Sequence, residues 1–204
     1  MKKIIMFLMA AFMLSAVPAT AQELSKEAKK SIKAKIKEFK KDGWKIFGSA
    51  YSIEYALNKH YAKLESPDAE QQIGVSVAST KNKNLGRQKA LTNACIEFVS
   101  RNETAIKGKV LEELGDNGNG EEFDKFFGTF KKQVQGTIKD ELKESFSVIR
   151  DNGDGTFEMQ IYFVYDKTAA SKARMRAIDR AAREDIASKL YAEGIKKYFE
   201  EGGE

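Results

Sequence analysis

Histidine and cysteine, the side chains that most often act as catalytic bases, nucleophiles and metal ligands, each occur once in this 204-residue chain. His60 stands in an amphipathic segment without the several spaced ligands that a metal site needs, so we predict a surface or capping histidine. Cys95 shares the apolar side of its predicted helix with Leu91, Ala94 and Phe98, which predicts an inert buried thiol. A lone cysteine also excludes an internal disulfide.

Two glycine-rich acidic loops, residues 115–122 and 150–158, are superficially similar to calcium loops. An EF-hand loop needs oxygen ligands at its third and fifth positions, where these loops carry glycine. The first loop also lacks the Gly-Lys-Ser/Thr ending of a phosphate-binding loop. The chain contains no Gly-x-Ser-x-Gly, and its scattered carboxylates do not form an acid/base pair. The sequence therefore predicts no catalytic constellation, no metal site and no cofactor.

Three arginines near the end of the chain, Arg176, Arg180 and Arg183, follow one another at helical spacing. Such a stripe could hold an acidic partner or phosphate headgroups. Asp179 lies four residues before Arg183, and Glu184 lies four residues after Arg180, so local pairing would partly neutralise the stripe. Two interpretations stay open here: a solvated, salt-bridged helix face and a partner-binding surface.

The N-terminus has the pattern of a secretory leader. Lys2 and Lys3 precede a short apolar run, and Ala19-Thr20-Ala21 matches a small-x-small cleavage site. We predict a signal peptide over residues 1–21 and an exported protein, periplasmic, secreted or at the cell surface, with an uncleaved anchor as the alternative. Cleavage would remove Lys2 and Lys3, which contribute two of the positive charges in the formal net charge of +5. The small positive net charge that remains argues against a nucleic-acid partner.

Residues 22–43 form a predicted basic amphipathic helix, capped by Ser25 and rich in lysine. Its narrow apolar stripe consists of Ala28, Ile32, Ile36 and Phe39. The stripe can dock on the rest of the protein, or the helix can lie on an anionic membrane surface. Residues 44–204 are the size of a single domain.

The segment Ser145–Asp166 predicts a β-hairpin, because two alternating strands flank the turn residues Asn152–Gly155. One face of the second strand is apolar and predicted to be buried, and it carries Phe157, Met159, Ile161, Phe163 and Tyr165. The other face is predicted to be wet, and its side chains Thr156, Gln160 and Tyr162 are candidates for partner binding. A long helix over residues 167–199 is the predicted cover of the apolar face.

Further strands are predicted at residues 44–49, 71–80 and 104–114, and helices at 51–65, 84–102 and 121–142. Together these elements predict an α+β fold. It has an antiparallel or mixed sheet of about five strands, helices packed mainly on one face, and a long C-terminal helix.

The order of several motifs resembles that of the Lpp-twenty type outer-membrane lipoproteins. The motifs are "IGVSVAST", the helix with "ALTNACIEFVSR", the strand "AIKGKVLEEL", the phenylalanine-rich helix and the hairpin "DNGDGTFEMQIYFVY". The resemblance covers residues 72–166, and it implies a sheet-and-helix envelope domain without enzymatic activity. The lipidation cysteine of that family is missing, so the resemblance implies no membrane anchor, and it transfers no functional residue.

The leading functional hypothesis is a non-catalytic envelope or cell-surface protein that binds an envelope protein or another acidic partner. One alternative is a carboxylate-dependent hydrolase acting on glycan or cell-wall material, which a deep pocket with two facing carboxylates would favour. A second alternative is a peripheral membrane-surface protein that docks through its lysine-rich helix.

Overall fold

The computed structural model describes residues 24–76, 80–101, 103–183 and 186–203, with the backbone alone for 186–188. The predicted signal peptide, residues 1–21, lies outside the described residues. Seven helices are α1 Lys26–Lys41, α2 Ile53–Leu64, α3 Lys83–Ser100, α4 Glu103–Leu114, α5 Gly120–Ile138, α6 Lys167–Ala181 and α7 Ile186–Glu200. The strands are β1 Lys45–Phe47, β2 Ala69–Val75, β3 Lys143–Asp151 and β4 Phe157–Asp166.

The fold is α+β, with one antiparallel sheet of four strands in the order β1-β3-β4-β2. The prediction of about five strands is wrong because residues 104–114 lie in helix α4. Ile106 and Val110, four residues apart, are both buried on one side of α4, which is the helical period rather than the strand period. The strand predicted over 71–80 ends at Val75, and residues 77–79 lie outside the described residues.

The predicted hairpin is confirmed as β3 and β4, which pair along their length. Its turn uses two glycines in the left-handed region, Gly153 at φ 81° and Gly155 at φ 79°. Met159, Ile161, Phe163 and Tyr165 are buried, as the alternation predicts, whereas Phe157 is only half-buried. Helix α3 lies across β2 and β4 and covers this face, so the predicted cover by a long C-terminal helix is wrong.

The long C-terminal helix predicted over 167–199 is in fact two helices, α6 and α7, and this prediction is wrong. The chain leaves α6 at Ala182, whose N–H donates to the Ile178 carbonyl at 2.9 Å. A single helix would extend about 50 Å, well beyond the core. The turn lets α6 bury its alanine side against α5, while α7 folds back and buries Tyr191 and Ile195.

The opposite face of the hairpin is also covered, so the predicted wet face is wrong. Tyr162 is only 2% exposed. Its ring stacks on Phe146 at a centroid distance of 4.4 Å and meets the edge of Phe39 from α1 at 6.0 Å. Helices α1 and α2 form this second layer, with Leu57 and Trp44 in the same buried cluster. Helices therefore pack on both faces of the sheet rather than mainly on one.

Helix α1 is attached to the domain along its apolar stripe. Ser25 caps it as predicted, its hydroxyl accepting from the Ala28 N–H at 3.0 Å. Ala28, Ile32 and Phe39 are buried, and Ile36 is half-buried. Most lysines of α1 are exposed, whereas Lys35 is half-buried with its Nζ 5.2 Å from the centre of the Phe39 ring. Over the ranges that the structure describes, no helix has both the length and the apolarity to cross a membrane.

His60 is buried, and the prediction of a surface or capping histidine is wrong. Its Nε2 lies 2.8 Å from Gln71 Oε1 on β2, and its ring meets Phe146 and Tyr162 edge-on. The ring faces the sheet because it shares the inner side of α2 with Ala56. Burial, aided by the positive charge of Lys63, lowers the pKa of the His60 imidazole below its ordinary value of 6.5.

The closest approach between α3 and the sheet predicts that Gly74→Ala destabilises the protein by about 3 kcal/mol or more. A Cβ at position 74 would lie 2.0 Å from the Ala90 carbonyl oxygen in α3. Gly128→Ala is the matched control, because a Cβ there would meet nothing within 4 Å, and this change in α5 should stabilise by about 0.5–1 kcal/mol. Urea unfolding measures both, and a Gly74→Ala protein as stable as wild type would contradict this packing.

Buried His60 predicts that stability falls as the pH drops through the unfolded-state pKa of about 6.5. Below that pH the unfolded chain binds a proton that the folded protein resists, so folding loses up to about 1.4 kcal/mol per pH unit. The full contribution is present above that pH. We expect His60→Gln to remove this slope between about pH 7 and pH 5.5, before carboxylates titrate. Urea midpoints measure the slope, and equal slopes in both proteins would refute the prediction.

Candidate functional site

The edge of the sheet is open where β1 ends. The three residues of β1 pair with Ser147–Ile149, whereas β3 has nine residues. Residues 143–146 of β3 thus have β4 on one side and, in the described part of the chain, no strand on the other. Gly48, with φ 77°, follows β1 where the chain leaves the sheet for α2. This edge therefore leaves room beside β3.

A cavity of about 390 Å³ occupies this edge, bounded by the end of β1, α2, the first turns of α3 and β3. A second cavity of about 340 Å³ shares Asn84, Arg87 and Glu144 with the first and continues toward Ile161 and Phe163. We call the two cavities together the Glu144 groove. Each has the size of pockets that hold small molecules.

A β-bulge places one serine in the groove. The pairing register shifts between Glu144 and Phe146, which leaves Ser145 as the extra residue. Bulges redirect side chains and often occur beside functional sites. Ser145 is one of the residues that line the first cavity, and its hydroxyl oxygen is buried without a hydrogen-bond partner among the described residues. Native proteins leave few buried polar atoms unsatisfied, and this one belongs to a residue of the cavity wall.

Both carboxylate oxygens of Glu144 already have partners. Oε1 accepts from the hydroxyl of buried Ser147 at 2.6 Å, and Oε2 accepts from Nη2 of Arg87 on α3. The ion pair balances the charge of Glu144 and joins α3 to β3 across the groove. Glu144 therefore acts as a structural partner of Arg87 and Ser147 rather than as a free acid or base.

At the outer rim of the groove, the exposed ring of Tyr51 lies beside a lysine. Tyr51 lines the first cavity and contacts Tyr55 at a ring centroid distance of 4.6 Å. The two side chains are 52% and 51% exposed. Lys59 Nζ lies 5.8 Å from the centre of the Tyr51 ring, and no carboxylate among the residues described pairs with it. The groove thus carries one unbalanced positive charge beside an apolar surface.

The residues that the sequence singled out do not form this site. Arg176 and Arg180 are exposed on α6, and Arg183 is exposed in the turn that follows it. Arg176 pairs with Glu141 at 3.5 Å. Asp179 pairs with Lys196 on α7 rather than with Arg183, while Glu184 lies outside the described residues.

Of the predicted sheet-face residues, Tyr162 is buried and donates to Gln160 Oε1 at 2.9 Å, and Thr156 belongs to the hairpin turn. No hydrogen bond or ion pair joins Thr156, Gln160 and Tyr162 to Arg176, Arg180 or Arg183 in the part of the chain described. The two predicted surfaces are therefore not one site.

The carboxylates of one further cavity and the cysteine are already engaged or buried in the described part of the chain. A cavity of about 330 Å³ is lined by Glu141 and Asp166, but Glu141 pairs with Arg176 and Asp166 caps α6 through the Ala169 N–H. Cys95 is buried, as predicted, and burial raises the pKa of its thiol. Within the described ranges, no three histidine, cysteine or acidic side chains group as metal ligands would.

Comparisons of the chain with protein-family models, with curated proteins and with solved structures found no match. The sequence did not point to the groove residues Tyr51, Lys59, Arg87 and Ser145. One usable signal was present: Tyr55 falls off the apolar stripe of α2, and Tyr51 stands just before its capping residue, so both predict exposed aromatic rings.

Two serines of β3 allow a direct test of the unpartnered hydroxyl. We expect Ser145→Ala to leave stability unchanged or to raise it by up to about 1 kcal/mol, because the substitution removes a buried hydroxyl without a partner. Ser147→Ala should cost about 1.5 kcal/mol, because it removes the hydrogen bond to the Glu144 carboxylate. Urea unfolding compares the two variants, and a Ser145→Ala loss above about 1 kcal/mol would show that its hydroxyl has a structural partner.

Proposed function

We propose that this chain is an exported, non-catalytic binding protein of the cell envelope or cell surface, with the Glu144 groove as its binding site. The observation that carries the proposal is a cavity of ligand size whose wall includes the bulge residue Ser145, with a buried hydroxyl that has no partner among the described residues. A binding site holds such a group ready for a ligand atom at a cost in stability.

The state of the carboxylates supports binding over hydrolysis. A glycan hydrolase of the usual kind needs two carboxyl groups that face one another across the substrate. Glu144 is the one acidic residue among those that line the described groove, and both of its oxygens are engaged. The groove therefore offers polar and aromatic contacts without an available acid/base pair.

The packing of α1 likewise gives little support to docking on a membrane surface. Interfacial helices bind by burying an apolar face in the headgroup region. Here Ile32 and Phe39 are buried against α2 and the sheet, so the exposed side of α1 presents mainly lysine. Charge alone would provide only weak, salt-sensitive attraction.

The proposed location depends on the signal-peptide pattern of residues 1–21 and on the resemblance over residues 72–166. Both remain predictions. Of the elements behind the resemblance, the hairpin and the alanine-bearing helix have the expected form, whereas "AIKGKVLEEL" belongs to helix α4.

A ligand screen on the full chain tests the proposed site. We would follow backbone amide resonances by NMR while adding saccharides, amino acids, dipeptides, organic acids and nucleotides. Compounds that bind should shift Phe47, Tyr51, Lys59, Arg87 and Ser145 together, because these residues surround one cavity. A screen whose compounds shift another surface, or none, would contradict the assignment.

Two neighbouring tyrosines provide the matched variants for that screen. Tyr51→Ala should weaken compounds that bind in the groove about tenfold, since a ring stacked on a ligand contributes on the order of 1 kcal/mol beyond its buried area. Tyr55→Ala should change affinity less than threefold, because Tyr55 is equally exposed but does not line the cavity. Equal losses in both variants would place the ligand outside the groove.

A further inference from the structure

We infer that the Glu144 groove takes a small molecule with an oxyanion, a carboxylate or a phosphate, carried on a flat apolar body such as an aromatic ring. This inference rests on the proposed function and adds the chemical class of the ligand. Three features of the groove lead to it: its charge, the balance between donors and acceptors, and the position of Tyr51.

The charge of the groove favours an anion. Arg87 and Glu144 form an ion pair, so their charges balance. The positive charge of Lys59 is not balanced in this way, because its ammonium group lies beside the Tyr51 ring and pairs with no carboxylate within the described structure. A ligand that brings one negative charge would neutralise the site, whereas a cation would meet Lys59 without a free acidic group to offset it.

Several hydrogen-bond donors that line the groove can still take acceptors. Arg87 uses Nη2 toward Glu144, and a guanidinium has five N–H groups in all. The Ser145 hydroxyl has no described partner, and the Lys59 ammonium can donate three bonds. Both oxygens of Glu144, the acidic acceptor, are occupied. The complementary ligand therefore supplies several acceptor oxygens, as an oxyanion does.

The aromatic rim indicates the body of the ligand. Tyr51 exposes half of its side chain at the mouth of the cavity, and Phe47 lines the same space. Lys59 Nζ lies only 5.8 Å from the centre of the Tyr51 ring, so charge and apolar surface are adjacent. A flat group that stacks on Tyr51 would hold its attached oxyanion within reach of Lys59.

Four small probes test this chemistry on the full chain by NMR titration at constant ionic strength: benzoate, phenyl phosphate, inorganic phosphate and benzyl alcohol. We expect benzoate or phenyl phosphate to bind at least tenfold tighter than benzyl alcohol, with shifts at Tyr51, Lys59 and Ser145. The probe of these two that binds more tightly shows whether the groove prefers a carboxylate or a phosphate. Inorganic phosphate should bind more weakly than phenyl phosphate because it lacks the ring.

Variants on α2 separate the role of the charge from that of the helix. Lys59→Gln should weaken the preferred aromatic anion five- to tenfold and leave benzyl alcohol unaffected. Lys63→Gln, one turn further along α2 and outside the groove, should leave every probe unaffected. Ser145→Ala should weaken the aromatic anion about threefold, and unchanged amide spectra elsewhere would show that each variant is folded.

The outcomes distinguish the inference from the proposed function. If benzyl alcohol binds in the groove as tightly as the aromatic anions, or Lys59→Gln changes nothing, the oxyanion is refuted while the groove remains a binding site. If inorganic phosphate binds as tightly as phenyl phosphate, the flat apolar body is refuted. If none of the four probes shifts groove resonances, the inference fails, and the broader screen alone decides the proposed function.

Discussion

The position of α3 on the sheet decides which part of the sheet stays open. α3 reaches β2 closely because Gly74 has no side chain where the Ala90 carbonyl passes. From there α3 covers β2 and β4 but leaves the edge of β3 beyond β1 to be flanked by its first turns and by α2. The Glu144 groove is thus a consequence of close packing elsewhere, since a helix shifted toward β3 would fill it.

The hairpin tolerates burial on both faces because its second face is aromatic rather than aliphatic. Tyr162, Phe146 and Phe39 pack as rings, and the Tyr162 hydroxyl still finds Gln160. His60 extends this cluster and meets Gln71. The Tyr162 hydroxyl and the His60 Nε2 thus have partners within this layer, whereas the buried His60 Nδ1 has none among the described residues. This layer holds α2, and therefore Lys59, at the groove.

Sequence patterns predicted the elements whose evidence is local, namely the alternating hairpin with its glycine turn and the capped helices α1, α2, α3 and α5. The patterns failed where packing against a second layer of helices determines which side chains are buried. The side of β4 with Gln160 reads as polar, and nothing in that strand reveals that α1 covers Tyr162. In α4 the spacing of Ile106 and Val110 was the available signal. The groove could not be predicted, because it joins residues that are distant along the chain.

The groove gains its rigidity from contacts that do not themselves need a ligand. Asn82 caps α3 by accepting from the Asn84 and Leu85 N–H groups, which fixes the turn that carries Arg87. Arg87 then holds Glu144, and Ser147 holds its other oxygen, so the wall opposite Lys59 is fixed before anything binds. Preorganised donors lose little conformational entropy on binding. Ser145 is the exception in this wall, because its buried hydroxyl has no hydrogen-bond partner among the described residues.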